Sequence, residues 1–179
     1  MNCADCGTAL EVADLDHIKI HECPKCAAMW FEQDELRRAK DNADEWIRWI
    51  DFDLFAAADA SGEIGSKPCP ECGQPMRTLV YPHSKIEVDA CTADHGVFLD
   101  KEEFDKIVTS LDDLTNQVSA KDLEHATWHQ FKEIFAGGHE SRVSEIKDFM
   151  AVFRLMEMRF GVEHPATAQA INVLSREGL

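Results

Sequence analysis

Cys23-Pro24-Lys25-Cys26-Ala27-Ala28-Met29-Trp30-Phe31-Glu32 is the stretch that decides how this chain folds. Two cysteines flank a Pro-Lys pair, and an apolar run and an acidic residue follow. The order recurs downstream. Cys91 to His95 leads into Gly96-Val97-Phe98-Leu99-Asp100 and then Glu102-Glu103-Phe104, as Glu32 leads into Asp34-Glu35-Leu36. Both copies read as ligand-type side chains, an aromatic-aliphatic step, an acid and a helix start. Upstream of each lies a further C-x2-C, Cys3 with Cys6 and Cys69 with Cys72. Seven cysteines and His95 thereby fall into two sets of four, with no cysteine left over.

Such sets match the tetrahedral shell of Zn²⁺, which closes on four thiolate or imidazole donors. In a C-x2-C knuckle two thiolates reach one ion while nearby backbone N–H groups point at the sulfurs. Gly7 and Gly73 suit the tight turn after the second cysteine, because glycine takes positive φ without steric cost. The expected metal ligands are Cys3, Cys6, Cys23 and Cys26 in the first set and Cys69, Cys72, Cys91 and His95 in the second, with two Zn²⁺ per chain. Asp94 competes with His95 as the eighth ligand, since C-x3-H carries one residue more than C-x2-C. Disulfides or a thioredoxin-like redox pair are the alternative readings of the first set, but the redox pair expects a strand-to-helix context that is not seen after Cys3. A rubredoxin-like iron site uses similar knuckles, and the histidine of the second set argues against it.

Neither set spans enough residues to build a core by apolar burial alone, so a metal or disulfides are expected there. Between the paired ligands, Leu10, Val12, Ile18 and Ile20 in the first copy and Leu79, Val80, Ile86 and Val88 in the second alternate around turn formers, as hairpins require. The fold class expected is α+β: two small zinc ribbons, each followed by a helix, and a C-terminal helical region. The first module spans 1–60 with a helix from Asp34 to Ala60 carrying Trp46, Trp49, Leu54 and Phe55 as packing residues. Ser61 to Ser66 reads as a linker. The second module spans 66–112, its helix running from Lys101 to Leu111, with Asp100 and Glu103 as a capping box. Glu32 and Glu35 make the poorer cap of the first copy. The region 119–179 reads as helices at Ala120–Ala136, Ser144–Phe160 (stopped by Gly161) and beyond Pro165, the last with Ala168, Ile171 and Leu174 as its stripe.

The two cysteine modules resemble the bacterial transcription factor IIB-type zinc ribbons, whose pattern is C-P-x-C, a hairpin, then C-P-x-C-x-G-x-W-L-D-x-G-E-L. Cys23-Pro24-Lys25-Cys26, Trp30-Phe31-Glu32 and Glu35-Leu36 carry the likeness in the first copy. Cys69-Pro70-Glu71-Cys72-Gly73, Gly96-Val97-Phe98-Leu99-Asp100 and Glu103-Phe104 carry it in the second. The resemblance implies zinc at the eight ligand positions and no particular role in transcription. Ala4, Ala27-Ala28 and the offset His95 depart from the pattern. Separately, Phe160 to Leu174 resembles a junction between tetratricopeptide repeats; one unit of such an array implies a helical hairpin, with a protein-binding groove as the alternative.

Charge narrows the function. The chain holds 34 acidic against 18 basic residues, net −16, which repels a phosphate backbone. The short basic cluster Arg37-Arg38 with Lys40 is followed at once by acids. The N-terminus lacks the basic start and apolar core of a signal peptide, and no run is long enough to span a membrane. A cytoplasmic, reducing setting is therefore expected. No catalytic set stands out. His125 and His129 have helical spacing, yet Ala126 occupies the place where a zincin needs glutamate, so they read as a solvated face. The expected function is a non-enzymatic module that binds another protein. A transcription-associated factor touching RNA polymerase or DNA, and a metal-handling protein or enzyme, are the alternatives.

Overall fold

The computed structural model describes residues 1–32, 34–51, 54, 62–136 and 141–165. They divide into two compact units, 1–114 and 115–179.

Unit one is built on a single antiparallel sheet of seven strands: β1 (Glu11–Leu15), β2 (Ile18–Glu22), β3 (Met29–Glu32), β4 (Glu63–Pro68), β5 (Pro75–Val80), β6 (Glu87–Ala90) and β7 (Gly96–Leu99), in the order β1-β2-β3-β7-β6-β5-β4. Each expected hairpin forms, Leu15 pairing with Ile18 in the first and Val80 with Glu87 in the second. The two ribbons meet along β3 and β7, where Met29 faces Leu99, Trp30 faces Phe98, Phe31 faces Val97 and Glu32 faces Gly96. Modules read from the sequence as successive pieces thus share one sheet.

Alternation along the two central strands sends side chains to opposite faces. Met29, Phe31, Val97 and Leu99 join the main core with Ile18, Ile20, Leu36, Ile47, Val88, Phe104, Ile107 and Leu111. Phe31 stacks on Phe104, with ring centroids 5.7 Å apart. Trp30 and Phe98 point the other way, into a buried cluster with Cys3, Cys23, Ala28, Cys69, Met76 and Cys91.

Two helices of this unit differ from expectation in length. Instead of one helix from Asp34 to Ala60, α1 covers Glu35–Ala43. Asp44 ends it in extended conformation, and its carboxylate accepts from the Trp46 amide to start a 3₁₀ turn at Glu45–Ile47. A short acidic side chain that competes for backbone donors favours such a break. Lys40, 1% exposed, fastens the break by donating to the carbonyls of Ile47 and Ile50 at 3.2 and 2.6 Å. Trp49 and Leu54 pack at the core as expected; Trp46 is half-buried and does not join it, and Phe55 lies outside the described residues. The expected linker is also corrected: Glu63 to Pro68 forms β4, paired with β5. Helix α2 (Lys101–Gln117) outruns its expected end at Leu111, and Leu114 still packs on the core. Its capping box forms, Asp100 N donating to Glu103 Oε2 at 2.8 Å and Glu103 N to Asp100 Oδ1 at 2.7 Å.

Unit two holds a helical hairpin of α3 (Ala120–Ala136) and α4 (Arg142–Glu163). The α4 helix starts two residues before the expected Ser144 because Ser141 caps it, accepting from the Ser144 amide. It also runs past Gly161, where a stop was expected. Tertiary bonds hold that last turn: Glu163 Oε1 accepts from Ala120 N at 3.1 Å, and Arg159 donates to the carbonyls of Thr115 and Asn116. The helix beyond Pro165 with Ala168, Ile171 and Leu174 lies outside the described residues.

Candidate metal centres

Four knuckles place the eight donors. In each, the first cysteine's amide donates to the carbonyl five residues on: Cys3 to Thr8, Cys23 to Ala28 and Cys69 to Gln74 at 2.8 Å, and Cys91 to Gly96 at 2.9 Å. In three of them the amide of the fourth residue (Gly7, Ala27 or Gly73) closes back on the cysteine carbonyl at 2.9 Å, and that residue has φ between 57 and 72°. The fourth knuckle has the same overall length but turns one residue sooner. Asp94, φ 57°, donates to Cys91 O at 3.2 Å. His95 then stands where the others have glycine or alanine, and the longer imidazole reaches the site from there. The extra residue of C-x3-H is therefore absorbed in the turn rather than inserted in the knuckle.

The donor atoms of Cys3, Cys6, Cys23 and Cys26 all lie within 4.8 Å of one another, as do those of Cys69, Cys72, Cys91 and His95. Zn–S bonds of about 2.3 Å put tetrahedral sulfurs about 3.8 Å apart, and an imidazole nitrogen about 3.5 Å from a sulfur. The structure has Cys3–Cys26 and Cys6–Cys23 at 3.5 Å, Cys6–Cys26 and Cys72–Cys91 at 3.7 Å, and Cys91 Sγ to His95 Nδ1 at 3.5 Å. These separations fit one ion per quartet and are far too long for disulfides; all seven thiols are free. His95, not Asp94, completes the second set, and its Nε2 faces Glu71 Oε1 at 3.9 Å.

Electrostatics makes the same demand. Hydrogen bonding with the Thr8 side chain lowers the Cys6 thiol to about 6, and hydrogen bonding at the Gln74 backbone lowers Cys72 to about 7. Desolvation among the neighbouring sulfurs pushes Cys26, itself at the surface, up to about 12; burial pushes Cys69 up to about 12 and raises Cys3 as well. Four thiolates cannot share so small a space without a cation, and a zinc ion supplies that charge and deprotonates the resistant members.

The sequence reading did not single out Thr8, Glu71 or Lys67. Glu71 had a signal, since it lies inside a ligand knuckle; Lys67 had none. Two other sequence features come out plainly. His125 and His129 are exposed on α3, His129 facing Glu133 at 3.3 Å, and they join no metal-binding group among the described residues. The basic cluster is dispersed: Arg37 pairs with Asp34 and Asp41, and Lys40 is buried.

Two closed thiolate-rich quartets, each bracketing a hairpin, define a tandem zinc-ribbon protein with one Zn²⁺ per ribbon. Residues 2–42 and 68–110 each match the model of the transcription factor zinc-finger family, consistent with two tandem zinc-ribbon copies. Comparison with curated proteins and with solved structures gives no match.

Proposed function

We propose that this chain is a non-enzymatic protein-interaction module whose zinc ribbons are structural. The observation that carries the reading is the completeness of both quartets. Cys3, Cys23, Cys69 and Cys91 are at most 3% exposed, and four donors fill the shell that a catalytic zinc would share with water or substrate. Another protein is the partner favoured. Residues 1–114 hold 25 acidic and 11 basic residues, so the ribbon unit is the strongly anionic one and disfavours nucleic acid. Unit two, by contrast, exposes aromatic side chains: Trp128 is 58% and Phe135 75% exposed, and Phe131 contacts both rings. Aromatic anchors of this kind are enriched at binding hot spots. Among the described residues no helix is long and apolar enough to cross a membrane.

The test is affinity capture with the full chain beside its Trp128→Ala/Phe135→Ala variant, with zinc content and circular dichroism matched. A protein partner retained by the first and lost by the second supports the reading. A catalytic turnover that tracks zinc loading, or no partner dependent on these rings, overturns it.

A further inference from the structure

The two metal centres touch one another through three side chains. Lys67 stands two residues before Cys69, and its Nζ lies 3.1 Å from Asp5 Oδ1 and 3.0 Å from Asp89 Oδ2. Asp5 sits between Cys3 and Cys6 in the first knuckle of the first centre; Asp89 sits two residues before Cys91 in the second. One ammonium thus ties the two sites, while lying 5.3 Å from the centroid of the Phe98 ring. Trp30 makes the second connection. It belongs to the first ribbon, four residues after Cys26, yet its indole lies on Gly96 so closely that a Cβ there would come within 2.8 Å of Trp30 Cζ2. Gly96 is the residue whose carbonyl closes the Cys91 knuckle. Phe98 is the third, placed opposite Trp30 and buried with cysteines of both centres.

We propose that the two centres load as a coupled pair, with Lys67, Trp30 and Phe98 as the positioning residues that transmit the coupling. A ribbon this small has its ion as its main source of folding free energy. Emptying the first centre releases β3, and with it the indole that covers the second knuckle and the carboxylate that holds Lys67. The second centre then keeps its ligands but loses the surface that orients them. Linkage makes the effect reciprocal: whatever factor the first ion adds to the second's affinity, the second adds to the first's.

The experiment titrates the full chain with Co²⁺ alone, whose absorption distinguishes a four-cysteine from a three-cysteine, one-histidine shell. Two variants each disable one centre, Cys6→Ser/Cys26→Ser and Cys72→Ser/His95→Ala. Expected is a loss of about fivefold or more in Co²⁺ affinity at the intact centre, equal in the two directions. A smaller loss overturns the proposal, and so does a loss that differs between directions. Should a variant fail to fold, native mass spectrometry of the unaltered protein at one equivalent of Co²⁺ decides instead. Coupled loading leaves a smaller one-ion fraction in the unaltered protein than in Lys67→Met, which keeps all eight ligands; an equal or larger fraction overturns the proposal. In the paired variants Lys67→Met is likewise expected to shrink the coupling factor, and an unchanged factor overturns it.

Discussion

Trp30 and Phe98 face each other directly across the β3–β7 pair, both at most 1% exposed. They also hold equivalent places in the repeat, since Trp30 follows Cys23 by the interval at which Phe98 follows Cys91. The ladder on either side obeys the same symmetry. Met29 pairs with Leu99, and their equivalents Val97 and Phe31 pair with each other. The two ribbons therefore meet as the subunits of a two-fold dimer would, by a self-complementary edge. Joining two sheets of three and four strands in this way removes two exposed edges and gives the fold a core that neither ribbon has alone.

Gly96 lies at the closest point of that junction. A Cβ there would come 2.2 Å from the Phe31 carbonyl oxygen, which is backbone and cannot step aside. Gly96→Ala is expected to cost about 1–3 kcal/mol, the usual range for overpacking a tight site. Urea unfolding of the zinc-loaded protein measures it. Gly7→Ala is the comparison, because nothing lies within 4 Å of a Cβ at Gly7 and only its φ of 70° opposes the change.

Ala27 occupies the left-handed conformation (φ 57°) that glycine holds at the matching positions 7 and 73. Relief of that conformation outweighs the extra chain entropy of glycine. Ala27→Gly is expected to raise stability by about 0.5–1 kcal/mol. A melting temperature that falls would contradict this account of the second knuckle.

His95 and Asp94 separate by substitution. His95→Ala removes a donor from the second quartet, so zinc content after dialysis against a mild chelator is expected to fall from two ions per chain toward one. Asp94→Asn is expected to keep both ions, because asparagine tolerates the left-handed region about as well as aspartate. Elemental analysis of the two variants reads the difference.

Thiol reactivity offers a test in pH. With the metal stripped, Cys6 at about 6 is largely thiolate at pH 7 and Cys72 at about 7 is half thiolate, while Cys26 and Cys69 at about 12 stay protonated. Brief alkylation at pH 7 should therefore label Cys6 and Cys72 first, and lowering the pH to 5 should protect both, because the thiolate is the reactive form. Peptide mapping gives the order. Zinc is expected to protect all seven cysteines at pH 7.

The cap of α2 is the last case. Asp100 and Glu103 exchange hydrogen bonds with each other's amides, and loss of such a cap typically costs about 0.5–2 kcal/mol. Asp100→Ala should lower the unfolding midpoint accordingly and leave zinc stoichiometry at two. In the first copy only the return bond is comparable: Glu35 Oε2 accepts from Glu32 N at 2.9 Å, while Asp34, left-handed, supplies no side-chain cap.

Much of this molecule is legible in the sequence because coordination is local chemistry. An ion needs particular atoms, and a knuckle delivers two of them from residues three or four apart, so Cys3 with Cys6 and Cys69 with Cys72 announce themselves without any fold. The hairpins and the Asp100 cap are legible for the same reason, since alternation and capping act over a few residues. Asp44 hid in that local reading, because the aromatic residues after it kept a helical look while its carboxylate turned to the Trp46 amide. In the sequence Lys40 is only one member of a basic cluster, and its burial follows from the carbonyls of Ile47 and Ile50 folding over it and the Asp41 carboxylate beside it. The pairing of Trp30 with Phe98 lies beyond sequence altogether. Backbone hydrogen bonds between distant strands leave no mark on the residues that make them, so the choice of β3 and β7 as partners, and the contact between the two metal centres that follows, belong to the tertiary structure alone.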